Sequence, residues 1–351
     1  MTPDNLLSCS EQFELTAALN ALTDLDAAPA LADRLRVFQQ RTASGGLDGA
    51  VATRLISAFN DQLTEKLIEL TAQRHRLPPV AWCWLALGSE GRHEQTFVTD
   101  QDNGLIFNAT SDQEAAALRE LFLPFAQDVN RQLAACGFAL CTGQIMAGNP
   151  AWCLSLDEWR GCFIDWVRRP DPEALLNASI FFDLRPLSGQ LELGERLRTL
   201  LLSMTVATPS FQHLMAANAL QAEVPLNFRG EIAVDDSEAI DLKKYGSRIF
   251  VDAARIFALT SGVRAVNTVD RLNEAGAAIG LPPAEIAALT AAFSHILRLR
   301  LGQQMSASAK GEAEGGGLKP AALHEMDRAI LREALKQARR LQQRLKLNYL
   351  L

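Results

Sequence analysis

The sequence predicts a mixed sheet with flanking helices, an α+β domain, followed by an all-α helical bundle and preceded by an N-terminal helical segment. Three observations predict it. Between residues 76 and about 204, short apolar runs of strand character alternate with helical patterns, which favours a sheet with helices packed against it. Beyond residue 205 the apolar spacing is helical throughout, with short loops between long helices, as in an antiparallel bundle. Up to residue 75 the apolar residues recur at helical spacing only. The expected domains are therefore 1–75, 76–204 and 205–351, within the two or three that 351 residues suggest.

Each element has its own justification. Leu31, Leu35 and Phe38 share one helical face, as do Leu55, Ile56, Phe59, Leu63 and Leu67, and Gly45-Gly46 breaks the pattern between them. Pro78-Pro79 ends this segment, because the residue before a proline is pushed out of the helical region. Val80 to Leu87 reads as the first strand and Asn103 to Phe107 as the second. Glu114 to Ala135 is a long helix, with Leu118, Leu121, Phe122, Phe125 and Val129 on one side. Phe138 to Ile145 reads as a third strand, Leu156 to Val167 as a helix and Ile180 to Leu184 as a further strand. Helices are expected at Ser237 to Thr260, Val269 to Ala278, Ala284 to Gln304 and Pro320 to Leu347. Ser306 to Leu318 contains Gly315-Gly316-Gly317 but lacks the Gly-Lys-Ser/Thr of a phosphate loop, so it reads as a flexible linker.

Composition narrows the function. Apolar residues make up 48% of the chain and charged ones 21%, enough for real cores. The net charge is −7 with no basic tract, which disfavours nucleic acid as a broad-surface partner. Cys9, Cys83, Cys136, Cys141, Cys153 and Cys162 form no Cys-x-x-Cys pair and read as buried, reduced thiols. No signal core opens the chain, and the longest apolar run is too short to span a bilayer, so the expectation is a cytoplasmic protein without a membrane partner.

The chemistry concentrates between Ala86 and Phe107. A Gly88-Ser89 turn follows the first strand, and its backbone N–H groups can approach a phosphate closely. Asp100 and Asp102 stand two apart at the head of the second strand, share a face, and can hold a divalent cation between them. A phosphate cradle beside paired carboxylates is the minimum for metal-assisted transfer of a nucleotidyl group; the plainer reading is two exposed turn acids. Gln101 and Asn103 alternate to the opposite face, where they would fix geometry by hydrogen bonds. His93 reads as an ordinary exposed histidine.

Gly88-Ser89-Glu90-Gly91-Arg92 followed by Thr99-Asp100-Gln101-Asp102-Asn103 resembles the active-site signature of the polymerase-beta-like nucleotidyltransferase superfamily. More narrowly, it resembles a bacterial family of nucleotidyltransferase-like proteins of unknown function, related to PII-protein uridylyltransferases and glutamine synthetase adenylyltransferases. Met146 to Trp152, Phe181 to Pro186 with Gly189, Asp241-Leu242-Lys243 and Asn267-Thr268 extend the likeness over roughly residues 76 to 350. CBS and cyclic-nucleotide modules, often fused in that family, are not expected within these 351 residues.

The resemblance implies an NTP substrate and two Mg²⁺ ions, with Mn²⁺ as a substitute, held by Asp100, Asp102 and a third acid, Asp183. It assigns the β- and γ-phosphates to Gly88 and Ser89 and further phosphate contacts to Arg92, Arg185 and Lys243, with Arg255 as a weaker candidate, and offers Asn267 and Arg271 for base or acceptor contacts. Ion pairs compete with these roles: Asp183 with Arg185, and Arg92 with Glu90 or Glu94. The implied reaction moves an NMP to an acceptor hydroxyl, first of all on a regulatory protein in signal transduction, and releases pyrophosphate. A non-catalytic nucleotide sensor or scaffold and a toxin–antitoxin component are the alternatives.

Overall fold

The computed structural model describes residues 3–234, 238–310 and 317–351, and for residues 3–9 the backbone alone. The Cys9 side chain, Ser237 and Gly315-Gly316, named above, lie outside what is described. The chain divides into two compact units. One comprises residues 1–47, 52–162 and 184–198, and the other residues 48–51, 163–183 and 199–351.

The first unit is built on a sheet of β1 (Trp82–Ala86), β2 (Asn103–Phe107), β3 (Cys153–Ser155) and β4 (Arg185–Gly189), in the order β3-β2-β1-β4. Central β1 runs antiparallel to both β2 and β4, while β3 lies parallel to β2. All five β2 residues are buried, which is why Leu105-Ile106-Phe107 run on as apolar residues without alternation. Gly104 within it admits the Trp159 ring: a Cβ there would stand 3.0 Å from that ring.

Helices α1 (Pro3–Asn20), α2 (Ala28–Ser44) and α3 (Gly49–Ala72) precede the sheet. Their apolar faces enter the same core as the sheet: Leu35, Phe38, Phe59 and Leu67 cluster with Trp84, Phe107 and the face of α5 (Asp112–Ala135) that carries Phe122, Phe125 and Val129. Ser111 starts α5 by accepting from the Glu114 N–H, while Glu114 reaches back to the Thr110 N–H and hydroxyl. A single helical turn, α4 (Gly88–Gly91), follows β1.

Helix α6 (Leu156–Arg168) closely matches expectation; two strands do not. Residues 138–145 make only an isolated bridge, Asp100 to Ala139, and then turn, because Gly143 and a positive φ of 56° at Gln144 break extension. Ile180 to Leu184 is not a strand. Asp171 caps, and Pro172 opens, helix α7 (Pro172–Phe181), which absorbs that apolar run; the strand begins beyond Asp183, at Arg185. A short apolar run fits either structure by periodicity alone.

The second unit is helical. Besides α7 it contains α9 (Pro209–Ala219), α10 (Arg248–Ser261), α11 (Thr268–Ala278), α12 (Pro283–Lys310) and α13 (Glu325–Tyr349); α8 (Glu192–Val206) begins in the first unit and ends in the second. Helix α10 is buried on nearly every side and packs against α9, α11 and α13, while α12 packs on α11 and α13. The expected helix at Ser237 is shorter: a π-helical turn, Lys243–Ser247, leads into α10. No helix among the described residues is long and apolar enough to cross a membrane.

Candidate nucleotidyl-transfer site

The Gly88-Ser89 turn and the two acids are locked together in the first unit. The Leu87 N–H donates to the Asp102 carbonyl at 2.9 Å, so the end of β1 is tied to the acidic segment. Gly88 has φ +50°, and a Cβ on it would lie 2.6 Å from Asp102 Oδ2. Only glycine fits there, on conformation and on space alike. Gln101 and Asn103 point the other way: Gln101 Nε2 donates to the carbonyls of Asn130 and Phe138, and Asn103 Oδ1 accepts from Asn130 Nδ2 and the Ala147 N–H. Strand alternation thus puts amides on one face as anchors and acids on the other.

The 139–145 loop completes the acidic face. Gln101 N–H bonds the Ala139 carbonyl and Asn103 N–H the Ile145 carbonyl, which pins the loop at both ends. Because Asp100 and Ala139 are bridged in parallel, Cys141 falls beside Asp102. One oxygen from each of Asp100 and Asp102 and the Cys141 sulfur lie within 4.8 Å of one another, the only such group of potential metal donors among the described residues. Asp100 makes no ion pair among the described residues, although half-buried beside a second carboxylate. A donor set of this kind, pressed against a glycine turn, fits a divalent cation. Burial, followed by the nearby Asp102, raises the Cys141 thiol, while the backbone N–H groups of Ile145 and Gly143 pull it down. Elsewhere burial pushes Cys83 and Cys153 up to about 12 and Cys136 to about 11, so these are inert thiols.

A second layer of charge sits behind the turn. Arg185 Nη2 donates to both oxygens of Asp61 on α3, at 2.8 and 2.9 Å, and to the Glu90 carbonyl at 3.1 Å, while its Nε is buried without a partner. His93 Nδ1 stands 3.3 Å from Asp61, so it is not the ordinary exposed residue the sequence suggested. Burial above all, then the Asp61 carboxylate, pushes Glu90 up to about 8, with Arg185 opposing and Asp102 adding a little. Glu90 is therefore mostly protonated at neutral pH. Arg92 Nε pairs with Glu94 at 2.7 Å. Ser89 is half-buried, and its carbonyl accepts from the Glu94 N–H.

In the second unit Asp183 is fully buried. Arg255 Nε and Nη2 reach its two oxygens at 2.9 and 2.6 Å, and Arg271 Nη1 reaches Oδ1 at 2.6 Å. Arg255 also holds Asp252 at 2.7 Å, and these acids raise the Arg255 pKa against its burial. Asn267 caps α11 by accepting from the Val269 and Asp270 N–H groups. Lys243 is exposed, its N–H bonded to Asp241. The sequence reading missed Cys141 as a donor, Asp61 as the partner of Arg185, and Arg255 and Arg271 as partners of Asp183.

Paired carboxylates under a glycine turn on a mixed sheet, with a helical domain after them, define a nucleotidyltransferase-like protein. Two family models match the chain: "Putative nucleotidyltransferase DUF294" over residues 33–173, and "Putative nucleotidyltransferase substrate binding domain" over residues 209–349. The chain belongs to this family. The first match begins well upstream of the expected residue 76 and takes in Asp61, whereas Asp183 and Arg185 fall between the two matches. No curated protein matches the chain.

Proposed function

We propose that the protein transfers an NMP from an NTP to an acceptor hydroxyl, with Asp100 and Asp102 holding the divalent cation. The observation that carries this is the close approach of Gly88 to Asp102, where a Cβ would stand 2.6 Å from Oδ2, which sets the glycine turn directly against the carboxylate pair. The acceptor oxygen bonds to the α-phosphorus and gives up its proton to solvent, the bond from that phosphorus to the bridging oxygen breaks, and pyrophosphate leaves. Mg²⁺, with Mn²⁺ as a substitute, neutralises phosphate charge and lowers the pKa of the attacking hydroxyl when bound.

The chain's own groups do the rest. Gly88 and Ser89 offer backbone N–H groups, and Ser89 a hydroxyl, to the phosphates. Arg92 supplies positive charge while steadied by Glu94. Arg185 positions the turn through Asp61 and the Glu90 carbonyl. For Asp183 the geometry supports an anchoring role between two arginines in place of the metal role implied by resemblance. The family's kinship to protein-modifying transferases points to a protein hydroxyl in a cytoplasmic signalling context, with residues 76–204 performing the chemistry and residues 205–351 selecting the acceptor.

The test is incubation of the full chain with each α-labelled NTP, Mg²⁺ or Mn²⁺ and native lysate. Labelled product with pyrophosphate release is expected, and both should vanish in Asp102→Asn. Equal labelling by that variant overturns the assignment, and NTP binding without turnover on any lysate fraction makes the protein a sensor.

A further inference from the structure

The sulfur beside the two carboxylates has no role in the reading above. Cys141 is buried, lies in no disulfide, and belongs to a loop fixed at Ala139 and Ile145 by the strand segment that carries the acids. Its position is thus set by the same register that orients Asp102. Gly143, next but one along the loop, lies against the sulfur: a Cβ on it would stand in ordinary contact, 3.6 Å away.

We propose that Cys141 is the third protein ligand of the Asp100–Asp102 cation site, making it a mixed oxygen–sulfur site that binds thiophilic divalent ions of the Zn²⁺, Co²⁺ and Cd²⁺ class more tightly than Mg²⁺. The proposal rests on the cation reading of Asp100 and Asp102. Mg²⁺ demands oxygen donors and sheds water reluctantly, so a sulfur at this distance adds little to its binding. Borderline and soft ions gain from thiolate, and three protein donors leave coordination positions open for phosphate oxygens. On binding, the thiol proton passes to solvent and a metal–sulfur bond forms; no electrons are exchanged. The site would therefore tell divalent ions apart by softness, with Mg²⁺ taken only when thiophilic ions are scarce.

The test uses the metal-stripped full chain titrated with Co²⁺ and Cd²⁺ and read by sulfur-to-metal charge-transfer absorption. A saturable band is expected in the wild type and in Cys162→Ser, and none in Cys141→Ser or Asp102→Asn. Calorimetric titration, which needs no band, should show Cys141→Ser weakening Co²⁺ and Cd²⁺ binding by about 10–100-fold, with Mg²⁺ affinity within about twofold. Thermal melts confirm folding, and Asp100→Asn gives a second variant should Asp102→Asn be unstable. A band that survives in Cys141→Ser, or unchanged Co²⁺ affinity in that variant, overturns the proposal. Pyrophosphate release measured on the same samples keeps the two readings apart. A Cys141-dependent band without turnover sinks nucleotidyl transfer alone, while Mg²⁺-supported turnover without a band sinks the sulfur ligand alone.

Discussion

Asp102 and Asp183 each stand just ahead of a strand, yet the two regions treat them in opposite ways. Asp102 is half-buried in a cluster of acids and a thiol, with Asp100 and Cys141 at ligand distance. Asp183 is fully buried and receives three hydrogen bonds from Arg255 and Arg271. One region accumulates negative charge at a half-open position, and the other cancels it within the protein. Acids gathered at ligand distance of one another suit a cation, whereas an acid held by two arginines in a core holds helices in place.

Four experiments would break or sharpen this contrast. The largest effect is expected from Asp102→Asn, which should cut pyrophosphate release by about ten-thousandfold, roughly 5.4 kcal/mol, with little change in the urea midpoint. A variant equally active would place Asp102 with the structural acids. Asp183→Asn should do the reverse and lower unfolding free energy by about 3–4 kcal/mol in urea titrations, because two buried guanidinium groups lose the carboxylate they share. Unchanged stability there would reopen Asp183 as a functional acid.

Gly88→Ala is next, at about 2 kcal/mol from the left-handed backbone alone, and it should also weaken cation binding through Asp102; calorimetry with Mg²⁺ or Mn²⁺ reads the second effect. Last is the pH response of Glu90. Its folded pKa of about 8 lies above the ordinary carboxylate value of 4.5, so the folded state holds a proton that the unfolded chain has released. Its contribution to stability is complete below pH 4.5 and is lost as pH rises towards 8, at up to roughly 1.4 kcal/mol per pH unit. Glu90→Gln should flatten that slope in denaturation curves taken from pH 5 to 9, and an unaltered slope would remove Glu90 from the charged layer.

Much of this was legible in the sequence. Strand β2 begins and ends as the sequence predicts, and α5 and α6 lie within two residues of expectation, because caps, apolar periodicity and flanking turns agree there. The turn and the two acids were legible because they are local: a glycine, a serine and alternate aspartates dictate their own geometry. What escaped depends on distant chain. Cys141 reaches the acids only through pairing of Ala139 with Asp100, and nothing in Cys-Thr-Gly announces that pairing. Asp183 meets Arg255 from 72 positions away, and its neighbour Arg185 turns instead to Asp61, 124 positions off. Strand β4 was misplaced because Phe181-Phe182 suits a helix end as well as a strand.

The Asp61–Arg185 clamp carries a practical lesson about where the working unit begins. Helix α3 supplies Asp61, and its Asn60 and Ser57 also bond Gln95, just past the glycine turn. A chain trimmed to start at Pro78 would keep every recognisable motif and still forfeit the buttress behind them. Its turn would be free to sag away from the acids, and such a fragment would be inert for a reason its own residues could not reveal.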